Sequence, residues 1–402
     1  MRGVGKQTLG KCLSIWTLGL TLLASDSVWS QPARPAPPPK AAPGPWPLSH
    51  VSVWLTPMQY DPVPTLRWLD QQKLQPDRVI VQALDCGMTA FATKSAVLTC
   101  APNLKGKDPL GDVGEWAHAR GIECWAALDL FRWWQKIEPQ AFDPFEKHPE
   151  LQAISFEQST DPIGEGKFAS PFNPKVRQAV VELLLELLSQ YPDFDGLVLC
   201  CRLPEGWMHG FDEGARAAYI RYRQIDPLDL TMYDDHPETR DPEVQQFLNW
   251  RLDTVGELVG ELASAFRQNV PKGKVAVVGR GDQYNLTPKV QARTCNDWLT
   301  WVAKGYADEV LIDVAWKDES ARAAWDAATH LLEKSQRKVP LTCMLTSRPN
   351  WWPYGPTEAW PVFAERGRGI ERVAVEGYFT RCENEVKPVL QRTLTWRRWP
   401  GR

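Results

Sequence analysis

The sequence lacks most of the patterns that announce a chemistry. Nine cysteines and six histidines are scattered over 402 residues, with no C-x-x-C pair and no His/Cys spacing that would build a structural zinc site. No glycine-rich turn follows a strand-like run; Gly279-Arg280-Gly281 is only a G-x-G fragment and cradles no phosphate by itself. Neither sign of charge dominates. A formal net charge of −3 gives no footprint for a nucleic-acid or anionic-membrane partner. Beyond the N-terminus no apolar run is long enough to span a bilayer. Nothing in the residues calls for a metal or a cofactor.

The N-terminus has the layout of an export signal. Arg2, Lys6 and Lys11 precede an apolar stretch from Cys12 to Ala24, and Val28-Trp29-Ser30 resembles a cleavage site before Gln31. Residues 1–30 are therefore expected to be a signal peptide, with an uncleaved anchor as the alternative, and the chain to be periplasmic, envelope-bound or secreted. Residues 31–49 hold eight prolines, which favour extended conformations and bury no core, so this segment reads as a linker. The folded domain is expected to span 50–402. Export permits disulfides. Several of the eight cysteines left after Cys12, however, sit inside apolar runs, where cysteine packs as a small hydrophobe.

From His50 onward short apolar runs alternate with helix-period segments. The runs are 51–54, 78–83, 122–128, 196–200, 274–278, 309–312, 339–345 and 372–375. They are near-continuously apolar, as parallel strands covered on both faces require. Between them, 176–188 places Val176, Val180, Leu184, Leu187 and Leu188 on one helical face, and 247–266 does so with Trp250, Val255, Leu258, Leu262 and Phe266. Segments 298–303 and 321–333 supply further helices. Eight such alternations fit an α/β fold of the (β/α)8 TIM-barrel type better than an open doubly wound sheet.

In such a barrel, chemistry sits on the loops that follow the strands. The carboxylates in that position are Asp85, Asp129, Glu205, Asp282, Asp313 and Glu376. Hydrolysis of a glycosidic bond needs two carboxyls facing one bond. Asp313, Glu376 and Asp129, each directly at the end of an apolar run, are the catalytic candidates. An ion pair between Glu376 and a residue such as Arg348 is the structural alternative. Twenty tryptophans are the compositional outlier, and several crowd these loops: Trp133, Trp134, Trp207, Trp316, Trp351 and Trp352. Each either packs beneath its loop or offers a face to a sugar ring. Together with Asp85, Glu205, Asp282, Arg348 and Asn350 they form the expected substrate-binding set. The fourth run ends in Cys200-Cys201. Strand alternation sends one toward the barrel interior and the other toward the helices. A thiolate nucleophile there would need a base or a cation nearby; Arg202 is close, and His209 lies on the fourth loop.

These segments, in order, resemble the glycosyl-hydrolase-like barrel family of exported bacterial proteins, which includes a divisome-associated hydrolase of denuded peptidoglycan. The resemblance rests on Ser52-Val-Trp-Leu-Thr56, Val81-Gln82 with Gly87, Asp108-Pro-Leu110, Trp116 to Trp125, Asn173-Pro174, Tyr191 to Gly196, Trp250-Arg251 and Asp297 to Asp313. It implies a barrel, export and a glycan ligand. The family's fourth strand runs from Asp-Gly into further aspartates; here Asp195-Gly196 is followed by Cys200 and Cys201. This leaves two expectations. One is a glycoside hydrolase acting on a polysaccharide or peptidoglycan glycan with other carboxylates. The other is a glycan-binding barrel that has lost its chemistry. A cysteine-dependent hydrolase is a more distant third.

Overall fold

The computed structural model describes residues 48–135, 142–158, 160, 166–201, 203, 209–230, 241–280, 294–314, 320–346, 363–364, 366–376, 387 and 389–395. The expected signal peptide and nearly all of the linker lie outside them. The chain divides into two units, Met1–Ala42 and Pro43–Arg402, and the second holds all of the described residues.

Eight parallel strands carry the fold: β1 His50–Leu55, β2 Arg78–Asp85, β3 Glu123–Asp129, β4 Gly196–Cys200, β5 Lys274–Arg280, β6 Glu309–Asp313, β7 Leu341–Thr346 and β8 Arg372–Glu376. Each pairs with the next in sequence, and β8 pairs back onto β1 in register His50↔Arg372 to Trp54↔Glu376. The sheet is thus closed, a (β/α)8 barrel, and its eight strands coincide with the eight apolar runs of the sequence. The intervening helices are α1 Val63–Gln71, α2 Pro109–His118, α3 Pro174–Gln190, α4 Glu213–Arg223, α5 Pro242–Asn269, α6 Trp298–Ala303 and α7 Ser320–Lys334. No helix among the described residues is long and apolar enough to cross a membrane.

The helix starts are written in the sequence. Asp108, Asn173 and Asp241 each precede a proline, and each side chain accepts a backbone N–H of the first turn of α2, α3 or α5. Proline at the first helical position has no N–H to leave unpaired, and such a cap contributes about 1 kcal/mol.

A second device recurs at the bases of the strands. Asp77, Asp195 and Asp308 immediately precede β2, β4 and β6. Each carboxylate accepts a backbone N–H from the start of the preceding strand: Val51 at 2.8 Å, Cys124 at 2.8 Å and Val275 at 3.1 Å. The Asp195-Gly196 pair noted in the sequence therefore has a structural purpose. Asp195 staples β3 to β4. A Cβ at Gly196 would lie 2.2 Å from the indole of Trp125, which fills the barrel beside it.

The barrel interior is layered. Its middle is apolar, with Trp54, Ile80, Trp125, Val198, Leu311 and Met344 in one cluster that also includes Cys200. Beneath it, at the strand starts, lies a buried ion network around Glu309. Arg78 donates to both Glu309 oxygens at 3.2 and 3.0 Å, Arg372 approaches at 3.3 and 3.2 Å, and the Thr342 hydroxyl donates at 2.5 Å. Arg78 also lies on the Trp125 ring, 3.6 Å from its centroid. Burial pushes the Glu309 carboxyl upward, but the two guanidiniums and the hydroxyl overcome it and hold it at about 2.

A folded value below the ordinary 4.5 means that ionised Glu309 stabilises the fold above that range, and that this contribution is lost as pH falls through about 2. Replacing Glu309 by Gln takes from Arg78 and Arg372 their shared buried counter-charge and leaves Arg78 only the partly exposed Glu123, at 3.3 Å. The variant is expected to unfold about 3–5 kcal/mol more easily at pH 7 in a denaturant titration, with the gap to the parent narrowing toward pH 2.

Candidate active site

Strand alternation carries the interior face upward to the strand ends. Two residues beyond Ala127, Val198, Val278, Leu311 and Ala374, the same alternation reaches Asp129, Cys200, Arg280, Asp313 and Glu376. The register sets Asp129 opposite Cys200 and Arg280 opposite Asp313. Along the backbone β3, β5, β6 and β8 therefore end at the C-terminal mouth in an ionisable residue, whereas β4 ends in Cys200 and β7 in Thr346. Asp313 is partly buried. The side chains of Glu376 and Arg280 lie outside the described residues, as do Glu205, Trp207, Asp282, Trp316, Arg348, Asn350, Trp351 and Trp352 entirely.

Asp85 and Asp129 are brought together by Arg132, a residue that sequence alone does not single out. One of its terminal nitrogens lies 2.7 Å from Asp85 Oδ1 and 2.8 Å from Asp129 Oδ2. Gln59, from the turn after β1, donates to the other Asp85 oxygen at 2.9 Å. The Cys86 thiol lies 3.4 Å from Asp85 Oδ1 and 3.8 Å from Gln135 Oε1. Both carboxylates are all but sealed, Asp85 at 3 % and Asp129 at 1 % exposure. A cation three residues after a strand-end carboxylate was the available signal for Arg132.

Asp85 reaches this cluster through an irregularity in β2. Arg78, Ile80 and Gln82 follow one alternation, which would aim Asp85 at the helices. The pairing with β3 shifts between Gln82 and Leu84, and such a bulge re-aims the residues after it. Asp85 thereby comes level with Asp129.

Arg132 belongs to a short strand, Arg132–Trp134, paired antiparallel with Lys167–Phe168. This pairing ties the two ends of the long third loop together. Trp133 is fully enclosed, stacked on Phe145 at 6.2 Å, and its indole N–H donates to the Leu130 carbonyl at 2.9 Å. Of the pair expected to meet a sugar, Trp133 thus packs the loop, and Trp134 alone is partly exposed. Gly87 holds the approach: its φ is +72°, and a Cβ there would meet the Trp133 carbonyl oxygen at 2.4 Å.

The cysteine pair divides as alternation requires. Cys200 joins the interior cluster, and Cys201 joins the outer core between strands and helices. Burial, then the neighbouring Cys200 and Asp129, pushes the Cys201 thiol well up. Burial does the same to Cys86 and takes Cys124 to about 12. These thiols stay protonated, the opposite of what a nucleophilic cysteine needs. No disulfide joins any two of the seven cysteines among the described residues.

A second buried polar group borders the fourth loop. Ser155 bridges to His209, and Phe211 donates its backbone N–H to the Ile154 carbonyl. Next along the chain is Asp212, 1 % exposed, which caps α4 by accepting the Ala215 N–H at 2.9 Å. Burial raises its carboxyl to about 6, the capping bond offsetting only part of that cost.

The profile of the glycosyl hydrolase-like 10 family matches residues 72–347, and the chain belongs to that family. No curated protein matches it. Among solved structures it is similar to the PgaB (BpsB) glycoside hydrolase domain from Bordetella bronchiseptica. The identity is 18 % and the TM-score 0.58, over 85 % of this chain and 98 % of that domain. It is also similar to the β-galactosidase from Bacillus circulans sp. alkalophilus, at 14 % identity and TM-score 0.54, over 82 % of this chain and 50 % of that one. A third is the cold-adapted β-galactosidase from Rahnella sp. R3, at 12 % identity and TM-score 0.52, over 88 % and 58 %. The chain thus spans about half of each galactosidase, and these likenesses establish the barrel.

The raised carboxyl of Asp212 has a measurable consequence. A folded value near 6 against an ordinary 3.8 means that its protonated form favours folding below 3.8 and that this advantage is lost as pH rises through 6. Asp212→Asn keeps the cap and removes the buried charge. It is expected to gain up to about 3 kcal/mol of stability at pH 8, shrinking to nothing by pH 4, in parallel denaturant titrations.

Proposed function

We propose that this member of the glycosyl hydrolase-like 10 family binds a polysaccharide or peptidoglycan glycan across the C-terminal mouth of its barrel and hydrolyses it by carboxylate acid/base chemistry. The observation that supports the reading is that Asp129, Asp313 and Glu376 are the last residues of β3, β6 and β8, at one end of the barrel. Asp313 and Glu376 are the pair at the bond. One protonates the departing oxygen while the other attacks the anomeric carbon or activates water. Their strands are separated only by β7, so their backbones stand roughly 10 Å apart, a span that two inward-leaning carboxyls can close around a sugar. Asp129, held against Arg132, is a fixed charge near the reacting centre. Trp134 and the aromatic residues of the fourth, sixth and seventh loops form the sugar platforms, with Glu205, Asp282, Arg348 and Asn350 as polar contacts, while Asp85, sealed against Arg132, holds that guanidinium in place. The signal-like N-terminus and proline-rich linker support a location outside the cytoplasm, where such glycans occur.

One observation favours a second reading. Cys200 stands on the inner face opposite Asp129, and Asp129 and Asp85 are already committed to Arg132. A barrel in that condition holds a glycan without cutting it.

Incubating the full chain with denuded peptidoglycan glycan and a polysaccharide panel, with bound ligand and newly formed reducing ends measured together, separates the two. Hydrolysis predicts reducing ends from at least one bound glycan. Asp313→Asn and Glu376→Gln should then each lower the release by about 10²-fold or more while binding persists. Binding with no release from any glycan leaves the second reading. In that case Cys200→Asp, which sets a carboxylate beside Asp129, tests whether the scaffold otherwise supports the reaction. Absence of binding to every glycan overturns both.

A further inference from the structure

The outer ring of helices carries a groove of about 540 Å³ between α3 and α5, with Ala218 of α4 also in its lining. We propose that it is the docking site for an amphipathic helix that bears lysine or arginine beside its apolar stripe. This is independent of what binds at the barrel mouth.

The shape of the groove comes from helical spacing. On α5 it is lined by Trp250, Thr254, Glu257 and Glu261, one face recurring every three or four residues over about 16 Å of helix. On α3 it is lined by Arg177, Val181 and Glu182. One turn beyond Val181, Leu185 continues the same face and is 45 % exposed. Two helix faces running side by side leave a slot along their axes, and a third helix fills such a slot by setting its ridges into it.

The lining selects the partner. Its floor is apolar, built from Phe172, Val181 and Trp250. The Trp250 ring is bedded against Phe172 at 5.5 Å and stacked on Phe247 at 5.9 Å. With its faces taken up in this way it makes a poor platform for a sugar ring and a good wall for aliphatic side chains. The rim is acidic. Glu182, Glu257 and Glu261 are all exposed, and Arg177, 3.8 Å from Glu257 and 3.7 Å from Glu261, is the guanidinium set against them in the lining. An apolar partner would desolvate the surplus carboxylates without compensation, whereas a cationic residue at its edge supplies the missing counter-charge.

The test uses the full chain and a fluorescent helical peptide of roughly four turns with a leucine stripe flanked by lysines. Two control peptides keep the composition but scramble the stripe, or keep the stripe and replace lysine by glutamate. Fluorescence anisotropy is expected to show saturable binding of the first peptide and at least tenfold weaker binding of both controls. Glu257→Lys/Glu261→Lys and, separately, Ala218→Arg should each weaken it at least tenfold, with circular dichroism showing the fold retained. No binding, equal binding of the scrambled peptide, or equal binding by the groove variants overturns the proposal. So does a dimer of the parent chain that dissociates in Glu257→Lys/Glu261→Lys during sedimentation, which would assign the groove to a second copy. Retention of a neutral oligosaccharide lost in the same variants would likewise overturn it in favour of a sugar.

Discussion

One buried carboxylate organises the barrel. Glu309 on β6 draws in Arg78 from β2, Arg372 from β8 and the Thr342 hydroxyl from β7. Arg78 in turn lies on Trp125 of β3, and Trp125 occupies the space left by the missing side chain of Gly196 on β4. Six of the eight strands are thereby tied at one level. A buried ion network of this kind adds little net stability over apolar packing of the same volume. It does penalise any slip in register, because a slipped strand would leave a charge unpaired in the interior.

Register matters because it also decides which residues reach the interior at the other end of the strands. A strand has period two, so the base that holds Glu309 on the inside also brings Asp313 round to the inside at the mouth, as Trp125 and Ala127 do for Asp129. The barrel is polarised: structural charge below, an apolar plug between, and candidate chemistry above. Base and mouth treat their carboxylates differently. Glu309 is surrounded by donors, while Asp85 and Asp129 share the one guanidinium of Arg132. That sharing, with Cys200 alongside, is the feature on which hydrolysis and simple binding diverge.

The groove between α3 and α5 belongs to a different layer of the same design. The helices shield the barrel with their apolar faces, and their outer faces are free to vary in charge without disturbing the core. An acidic rim over an aromatic floor on that outer ring gives the molecule a second surface, with a ligand chemistry unlike that of the mouth.

The eight apolar runs by themselves determined the strands, their parallel order and the closed barrel, because burial on both faces demands continuous apolarity. The Asp-Pro and Asn-Pro pairs likewise set the starts of α2, α3 and α5, since capping is local. Alternation also separated Cys200 from Cys201. What alternation could not supply was anything that depends on a partner far along the chain. The shift between Gln82 and Leu84 turns Asp85 toward the mouth, and only the neighbouring strand reveals it. Arg132 looked like an ordinary loop cation until the fold set it between two carboxylates. Trp133 and Trp134 were equivalent as neighbours in sequence, and the packing of the third loop buried one and left the other partly exposed. Strand and barrel arise from period and polarity, which each segment carries alone; the charges of the mouth arise from packing, which no segment carries alone.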